Sequence, residues 1–466
     1  MVKEKITVLV LILSLTAGCT QARPSASTLQ AGQTAAPTLT TQPTHTAQPT
    51  DTLIPPTYTS LPPTATLLPT ATRTPIQPTL YPVPGGVTEI VTWGGETNDW
   101  AYDVLLLADG GTLVAGMVNN PGMFSVTIHG NARLLRTDAS GAVLWERDYG
   151  GEADTLFYSL IQVGEDEFVV LGTIAASTGR HPTNFYLVKI DGAGNPIWSR
   201  TYGGPGMDDA RMVRQTSDGG FILAGDRADD FPTSGQYENN LILIKTDAEG
   251  NEVWSHTYGD SILYMAWGVA ETPDGGFVVA GWEARNHEHR DVFAIKTDAS
   301  GEVEWSRSWA LAPQERNGGF DMILTRDGYI VIAGVLAMNQ GPRRAAVVKV
   351  DLLGNEVWVR AYADQGMGAE FWDVMEDTDG GYILSGDKIV GRDPTSGEDI
   401  RRGLVLKTNA DGEVLWTYAL LGNEYQQTVI SSAMVMSAGV YVFVGMATRN
   451  GETYSDMLWL KLTLEE

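Results

Sequence analysis

Cysteine is almost missing from this chain of 466 residues: the only one is Cys19. Everything after it therefore lacks an intrachain disulfide, a thiolate zinc site and a thiol nucleophile. Positive charge is also scarce. With 31 Lys and Arg against 57 Asp and Glu, the formal charge is −26. Such a surface repels phosphate backbones, whose binding is driven by Lys and Arg, so nucleic acid is excluded as a partner. The longest N-terminal apolar run, Ile6 to Leu15, is too short to span a bilayer as a helix. What the chain does have is 43% hydrophobic residues and 52 glycines, a composition that suits strands and turns in a folded protein.

The N-terminus carries Lys3 and Lys5, then the apolar run, then Leu15-Thr16-Ala17-Gly18-Cys19. This segment resembles a bacterial lipoprotein signal, with Thr16 where the usual Leu stands three places before the cysteine. The resemblance implies a signal peptide over 1–18, cleavage before Cys19 and lipidation of that residue. Several acyl chains anchor stably where one is marginal. The membrane is then touched through the lipid alone. The chain is secreted and its folded part stands outside the cytoplasm, at the cell surface or in the periplasm. From Cys19 to Gly86 Thr, Pro, Ala and Gln dominate, a composition too poor in patterned apolar residues to pack a core. We expect a disordered Thr/Pro-rich tether over 19–86, able to extend on the order of 200 Å at a polyproline-like rise.

From 87 to 466 one phrase recurs seven times, most cleanly from Lys189 to Gly225. Each copy has an apolar strand ending in glycine, at Gly116, Gly172, Gly225, Gly281, Gly334, Gly386 and Gly445, spaced by 56, 53, 56, 53, 52 and 59 residues. A period near 50 with short β-branched strands predicts an all-β, seven-bladed β-propeller with four antiparallel strands per blade. The Lys or Arg of the third strand precedes the Trp of the fourth by nine residues in six copies, as in Lys189 and Trp198. A fixed hairpin joins them through a D-x-x-G turn, whose Asp caps the turn amides and whose Gly supplies positive φ. Nine residues around that hairpin place Lys189 opposite Trp198, for which a cation–π contact is the simplest reading. The turn between first and second strands is equally constant, with Asp109, Asp218, Asp274, Asp327 and Asp379 each seven residues before its glycine.

Lengths vary only in the other two connections. One face of the ring is therefore uniform and the other varied, and ligands tend to meet variable loops on a rigid scaffold. The seventh copy stops after its third strand, while VTEIVTWGG at 87–95 reads as a fourth strand. The N-terminal strand should close the last blade and so remove an exposed sheet edge.

K-x-D-x-x-G, an aromatic strand, Y-G-G, Asp, D-G-G and V-x-G together resemble the bacterial seven-bladed β-propeller repeat lipoproteins, over about Val87 to Leu464. The resemblance implies the fold and leaves the activity open, because propellers host many activities. D-x-x-G-x-x-x-W also resembles the repeats of quinone-dependent dehydrogenases, which typically have eight blades and often a vicinal disulfide that this chain has no cysteines to make.

The candidate ligand-binding residues sit in blade-to-blade loops and at the heads of first strands, around the channel mouth. They are Asp99, Trp100, Tyr102, Asp154, Tyr158, Asp208, Asp209, Tyr264, Trp267, Phe320, Glu370, Phe371 and Trp372. Aromatics stack on apolar faces while carboxylates accept hydrogen bonds, a pairing suited to sugars or peptides. The plainer reading is that the aromatics pack between blades and the acids are solvated. No catalytic set and no metal site are expected, and no cofactor. Calcium on the Asp turns is the weaker reading, since each turn offers one Asp. His287 and His289 lack a third ligand. The expected role is non-enzymatic binding of a protein, peptide or glycan on the varied face. The alternative is an enzyme acting on carbohydrates or alcohols through the central funnel, which would require converging carboxylates there.

Overall fold

The computed structural model describes residues 57–59, 87–120, 130–175, 182–228, 239–259, 263–286, 289–309, 317–336, 342–362, 368–394, 397–420 and 424–464. Among them every regular element is a strand. The first sheet pairs Asn98–Leu106, Thr112–Asn120, Asn131–Thr137 and Val143–Tyr149 in chain order, all antiparallel. The same order recurs in the strand sets whose first strands are Thr155–Gly164, Met207–Gln215, Leu263–Glu271, Gly318–Leu324 and Gly368–Glu376, the first two sets being joined into one sheet by the parallel pairing of Met207 with Thr183. In the remaining sheet Tyr425–Ser437, Val440–Arg449 and Asp456–Thr463 take Val87–Trp93 as their fourth strand, in register from Val87 opposite Thr463 to Trp93 opposite Met457. The chain thus closes on itself with its N-terminal strand. Apart from Thr57–Thr59, the strands number 28, consistent with seven blades of four.

First strands neighbour one another from Asn98–Leu106 round to Tyr425–Ser437 and back to Asn98–Leu106. The sheets therefore stand as blades around a common channel, a β-propeller. Their middle strands are buried nearly throughout, as in Phe221–Ala228 and Asn240–Thr246. The core lies between successive blades: Leu171, Phe185 and Leu187 of one pack on Phe221, Leu223 and Ile244 of the next. Outer strands alternate, with Leu144, Ile197, Val253, Val357 and Leu415 exposed beside the more buried Trp of the same strand.

That Trp joins blades. A Cβ added to the hairpin glycine of the following blade would lie 2.9 Å from Trp145 at Gly194, 3.0 Å from Trp198 at Gly250 and 3.0 Å from Trp358 at Gly412. Each of these glycines has φ between +75° and +78°, the left-handed region that also favours glycine. The Tyr four residues after the Trp reaches the same turn in four copies. Tyr149, Tyr202, Tyr258 and Tyr362 donate from their hydroxyls to the carbonyls of Gly194, Gly250, Gly301 and Gly412 at 2.6–3.0 Å. The sheet closed by Val87–Trp93 has no third-to-fourth hairpin, because its fourth strand comes from the N-terminal side. Trp416 keeps there the ring contact that other copies also make, to Tyr441 at 5.9 Å, as Trp254 does to Phe277 at 5.8 Å.

The Asp turns behave as expected: Asp191 Oδ1 accepts from the amides of Ala193 and Asn195 at 3.0 and 2.8 Å. The Lys does not. Lys189 stands opposite Trp198 in register, yet its ammonium bonds Glu167 at 2.7 Å. Lys245 reaches Asp218 at 2.9 Å and Lys296 reaches Asp274 at 2.9 Å. The expected Lys–Trp cation–π contact is thus replaced by an ion pair to the first-to-second turn of the same blade. The reason is burial: Lys296 is 2% exposed, and a buried ammonium needs a carboxylate more than a ring face. Asp218 and Asp274 are held down at about 2, first by the hydroxyls of Thr216 and Thr272 and also by these lysines.

The expected signal peptide and lipidated Cys19 lie outside the described residues, as do His287 and Glu288. Within the span expected to be a disordered tether, Thr57–Thr59 form a short strand parallel to His256–Tyr258, and the rest of that span also lies outside.

Removing the inter-blade hydroxyl tests the staple. Tyr202→Phe leaves the Gly250 carbonyl without its donor and should lower the unfolding free energy by about 1 kcal/mol in urea titration. Ser199→Ala on the same outer strand should change it by less than about 0.5 kcal/mol.

Candidate functional site

Every first strand slips register against its second strand at one equivalent position, and the strands beginning at Asn98, Thr155 and Tyr425 slip elsewhere as well. The equivalent slips fall between Ala101 and Asp103, Phe157 and Ser159, Ala210 and Met212, and Ala266 and Gly268. The remaining three fall between Gly319 and Asp321, Phe371 and Asp373, and Ile430 and Ser432. Each slip is a β-bulge, which sets two residues opposite one. The extra residues are Tyr102, Tyr158, Arg211, Trp267, Phe320, Trp372 and Ser431. All seven line one cavity of about 580 Å³ inside the ring of first strands.

The landmark glycine, which lies inside each second strand, explains why the bulge recurs. It pairs with the residue just before the slip, Gly225 with Ala210 and Gly386 with Phe371, for example. A Cβ there would sit 2.2 Å from the Asp209 carbonyl oxygen at Gly225 and 2.1 Å from that of Glu370 at Gly386. The same collision, at 1.8–2.1 Å, awaits a Cβ at Gly116, Gly172, Gly281, Gly334 and Gly445. Glycine lets the bulged backbone approach, and the bulge presents one extra side chain to the channel.

These side chains form a belt. Trp100 stacks on Tyr102 with centroids 5.6 Å apart, and Tyr102 meets Tyr158 at 4.8 Å. The Arg211 guanidinium lies 4.9 Å from the Tyr158 centroid and 4.7 Å from that of Trp267. Trp267 meets Phe320 edge-on at 5.8 Å, and Phe320 stacks on Trp372 at 4.5 Å. Trp100 Nε1 donates to Ser431 Oγ at 2.8 Å, filling the position where the bulge residue is small. Arg211 is paired with Asp226 at 3.2 Å.

The next residue in each first strand makes a second ring, three of whose members are Asp103, Asp321 and Asp373, all lining the cavity. Asp103 accepts from the Leu160 amide at 2.8 Å and from Ser432 Oγ at 3.1 Å. Asp321 Oδ2 accepts from the Val374 amide at 3.1 Å. Both carboxylates thus bridge to the first strand of another blade and satisfy amides on an inner edge that has no further strand. Asp321 Oδ1, however, has no hydrogen-bond partner although it is buried, and neither has Trp267 Nε1. Burial pushes the Asp321 carboxyl up to about 7 against the pull of Arg214, with Asp103 adding repulsion. Burial raises Asp373 further, and Asp321 and Asp103 reinforce it. Asp103 is raised too, chiefly by burial. One more turn of the strand pattern down, Arg214 shares the channel with Leu105, Ile161, Ile323, Met375 and Met434.

Of the residues expected from sequence, Trp100, Tyr102, Tyr158, Trp267, Phe320 and Trp372 meet at this cavity. The others are not among its lining. Tyr264 and Phe371 are buried in the core, against Phe293 and Tyr362, because they fall three residues and one residue before the bulge positions Trp267 and Trp372. Asp208 is tied to Arg227 at 2.5 Å and Asp209 accepts from Thr183 Oγ1 at 3.1 Å. Asp99 accepts from the Asn119 amide at 2.9 Å, and Glu370 joins Arg343 and Arg401 at 3.0 and 2.5 Å. Asp154 is half-buried, and its carbonyl accepts from the Ala175 amide. The expected acids are therefore largely engaged in local structure rather than solvated. Arg211, Arg214, Asp103, Asp321 and Asp373 were missed. The dipeptides Tyr102-Asp103, Phe320-Asp321 and Trp372-Asp373 were the available signal, an aromatic followed by Asp at one repeat position. Among the described residues no group of three or more His, Cys, Asp or Glu is spaced to hold a metal ion.

No protein family and no curated protein matches the chain. Among solved structures it is similar to a protein of unknown function from Dyadobacter fermentans, at 13% identity and TM-score 0.47, over 82% of this chain and 100% of that one. It is also similar to YCF48 bound to D1 peptide, at 12% identity and TM-score 0.45, over 85% and 100% of the two chains. A NanB sialidase mutant from Streptococcus pneumoniae aligns at 11% identity and TM-score 0.41, over 82% and 71%.

Gly386→Ala should cost about 3 kcal/mol, since backbone must part from backbone to admit the methyl group. The tryptophan emission should also shift as Trp372 loses its place, and an unchanged spectrum with unchanged stability would refute the glycine–bulge coupling. For Asp321 the folded carboxyl, at about 7, lies above the ordinary 3.8. The folded state then binds the extra proton, so stability falls as pH rises through that window. Asp321→Asn removes this loss: its melting temperature should drop less between pH 5 and pH 8 than that of the unaltered protein.

Proposed function

We propose that the chain is a lipid-anchored binding module outside the cytoplasm, a seven-bladed propeller closed by its N-terminal strand. It takes part of a peptide, protein or glycan into the central channel from the varied-loop face. The observation that carries this reading is the belt of bulge residues over a cavity of about 580 Å³. Ligand sites are concave, largely apolar and fitted with a few polar groups, and this volume matches a side chain or one or two sugar rings. The belt lies toward the N-terminal ends of the first strands, where the blade-to-blade loops of varied sequence arrive. A ligand would therefore meet variable loops first and the aromatic ring second.

The enzymatic alternative has one specific observation in its favour. Asp321 and Asp373 carry raised pKa values in the channel, and a general acid working near neutrality needs a carboxyl shifted in that direction. The bridging role of Asp321 accounts for its position without catalysis. The binding reading therefore stands first, and cleavage of carbohydrates or oxidation of alcohols second.

Glycan and peptide arrays probed with the full chain test both readings. Binding should fall at least tenfold when Trp100→Ala and Trp372→Ala are combined, and unchanged binding would overturn the channel as the site. Turnover of an array glycan, lost in Asp321→Asn, would instead replace binding by catalysis.

A further inference from the structure

The channel already contains one example of how it holds a cation. Arg211 sits between the rings of Tyr158 and Trp267, at 4.9 and 4.7 Å, with Asp226 taking its charge at 3.2 Å. Ring faces are negative and attract a desolvated cation, while a buried carboxylate completes the pair. The wall formed by Phe320 and Trp372 repeats these parts with Asp321 and Asp373, but its bulge residues include no arginine. Asp321 is 7% exposed, lines the cavity, and leaves Oδ1 with no donor.

The charge balance points the same way. Arg211 is matched by Asp226, which leaves Asp103, Asp321 and Asp373 facing Arg214 as the remaining cavity cation. Burial and mutual repulsion hold Asp321 and Asp373 toward their protonated forms, so a cation entering beside these three carboxyl groups would draw out their charge, whereas a carboxylate or phosphate would be opposed. A divalent metal is a poor match, because these acids do not converge as ligands. The aliphatic residues below, Ile323, Met375 and Met434 among them, favour an apolar stem. The protein's charge of −26 raises the local concentration of cations around its mouth.

We propose that the channel captures an organic cation on an apolar stem, its ammonium or guanidinium group lying under Phe320 and Trp372 and donating to Asp321 Oδ1. This rests on the binding reading above and narrows it to the lysine or arginine side chain of a peptide, or to a free alkyl amine. Trp267 Nε1, also without a partner, would donate to an acceptor carried beside the cation, such as a peptide carbonyl.

Calorimetric titration of the full chain tests this with four probes. They are acetyl-Phe-Lys-amide, its uncharged norleucine counterpart, acetyl-Phe-Glu-amide and cadaverine. The lysine peptide should bind at least tenfold more tightly than the norleucine peptide, and the glutamate peptide should be weakest. Asp321→Asn and Asp373→Asn should each reduce the preference for lysine over norleucine at least fivefold while leaving norleucine binding unchanged. Ser199→Ala, on an outer strand, should leave every value unchanged. Cadaverine binding as tightly as the lysine peptide would identify free amines as the guests, and weaker cadaverine binding would identify peptides. Equal binding of the lysine and norleucine peptides would overturn the proposal. If an array glycan binds and none of the amines does, the channel reading survives and the cation is refuted; if no probe of either kind binds, both fall.

Discussion

The structure depends on a close approach between two backbones that occurs once in every blade. The landmark glycine of each second strand lies so near the carbonyl oxygen of a first-strand residue that an added Cβ would come within 1.8–2.2 Å of it in every copy of the repeat. Because that space is empty, the first strand can accommodate an extra residue. Because the first strand is the innermost, the extra residue has only the channel to enter. A feature of sheet geometry is thereby converted into a ring of seven side chains of free choice. Five are aromatic, one is arginine and one is serine.

A second constraint holds the ring together. Four third-to-fourth turns, at Gly194, Gly250, Gly301 and Gly412, seat both the Trp and the Tyr hydroxyl of the preceding blade, so a turn set by local chemistry becomes a contact between blades. The contact lies on the outer strand, remote from the bulge. The outer edge and the inner edge of a blade are thus fixed by different glycines, one chosen for its positive φ and the other for its missing side chain. Between them the buried lysine pairs with the Asp of the first-to-second turn. A single removal there would leave a charge without its partner, which costs more than the pair contributes.

Much of this was legible in the sequence, and the illegible part has a physical cause. The period, the hairpin lengths, the capping Asp and the joining of Val87–Trp93 to the last sheet all follow from local spacing. Trp198 and Lys189 were correctly set opposite each other, but opposition across strands does not say which neighbour wins. For the lysine, burial favoured a carboxylate, and for the Trp, the next blade's glycine. The bulge was invisible because it is a property of pairing: strict alternation would turn Asp103, Asp321 and Asp373 away from the channel if Tyr102, Phe320 and Trp372 face it. Two consecutive residues share the channel only after the slip. Reasoning from acids and aromatics near strand heads therefore named six aromatics that line the cavity, and acids such as Asp99, Asp208 and Glu370 that are held in local ion pairs and caps away from it.

The separation of the two glycines bears on how such a ring could change its ligand. Substitutions at the Trp, the Tyr or either glycine disturb contacts between strands or blades, whereas a bulge residue touches mainly its neighbours in the belt and whatever fills the cavity. Ser431 illustrates the latitude: where the belt position is small, Trp100 from the adjoining strand head reaches across and hydrogen-bonds to it, so the ring stays closed. Arg211 illustrates the limit, since a charge in the belt required Asp226 to be buried beside it. Apolar and aromatic exchanges in the belt are thus cheap, but a change of charge must be made in pairs. The acids of the second ring obey the same rule only in part. Asp103 engages both of its carboxyl oxygens, with Leu160 on one side and Ser432 and Val104 on the other, whereas Asp321 bridges to the Val374 amide through one oxygen alone, and that bridge keeps it in place whether or not a cation faces the other.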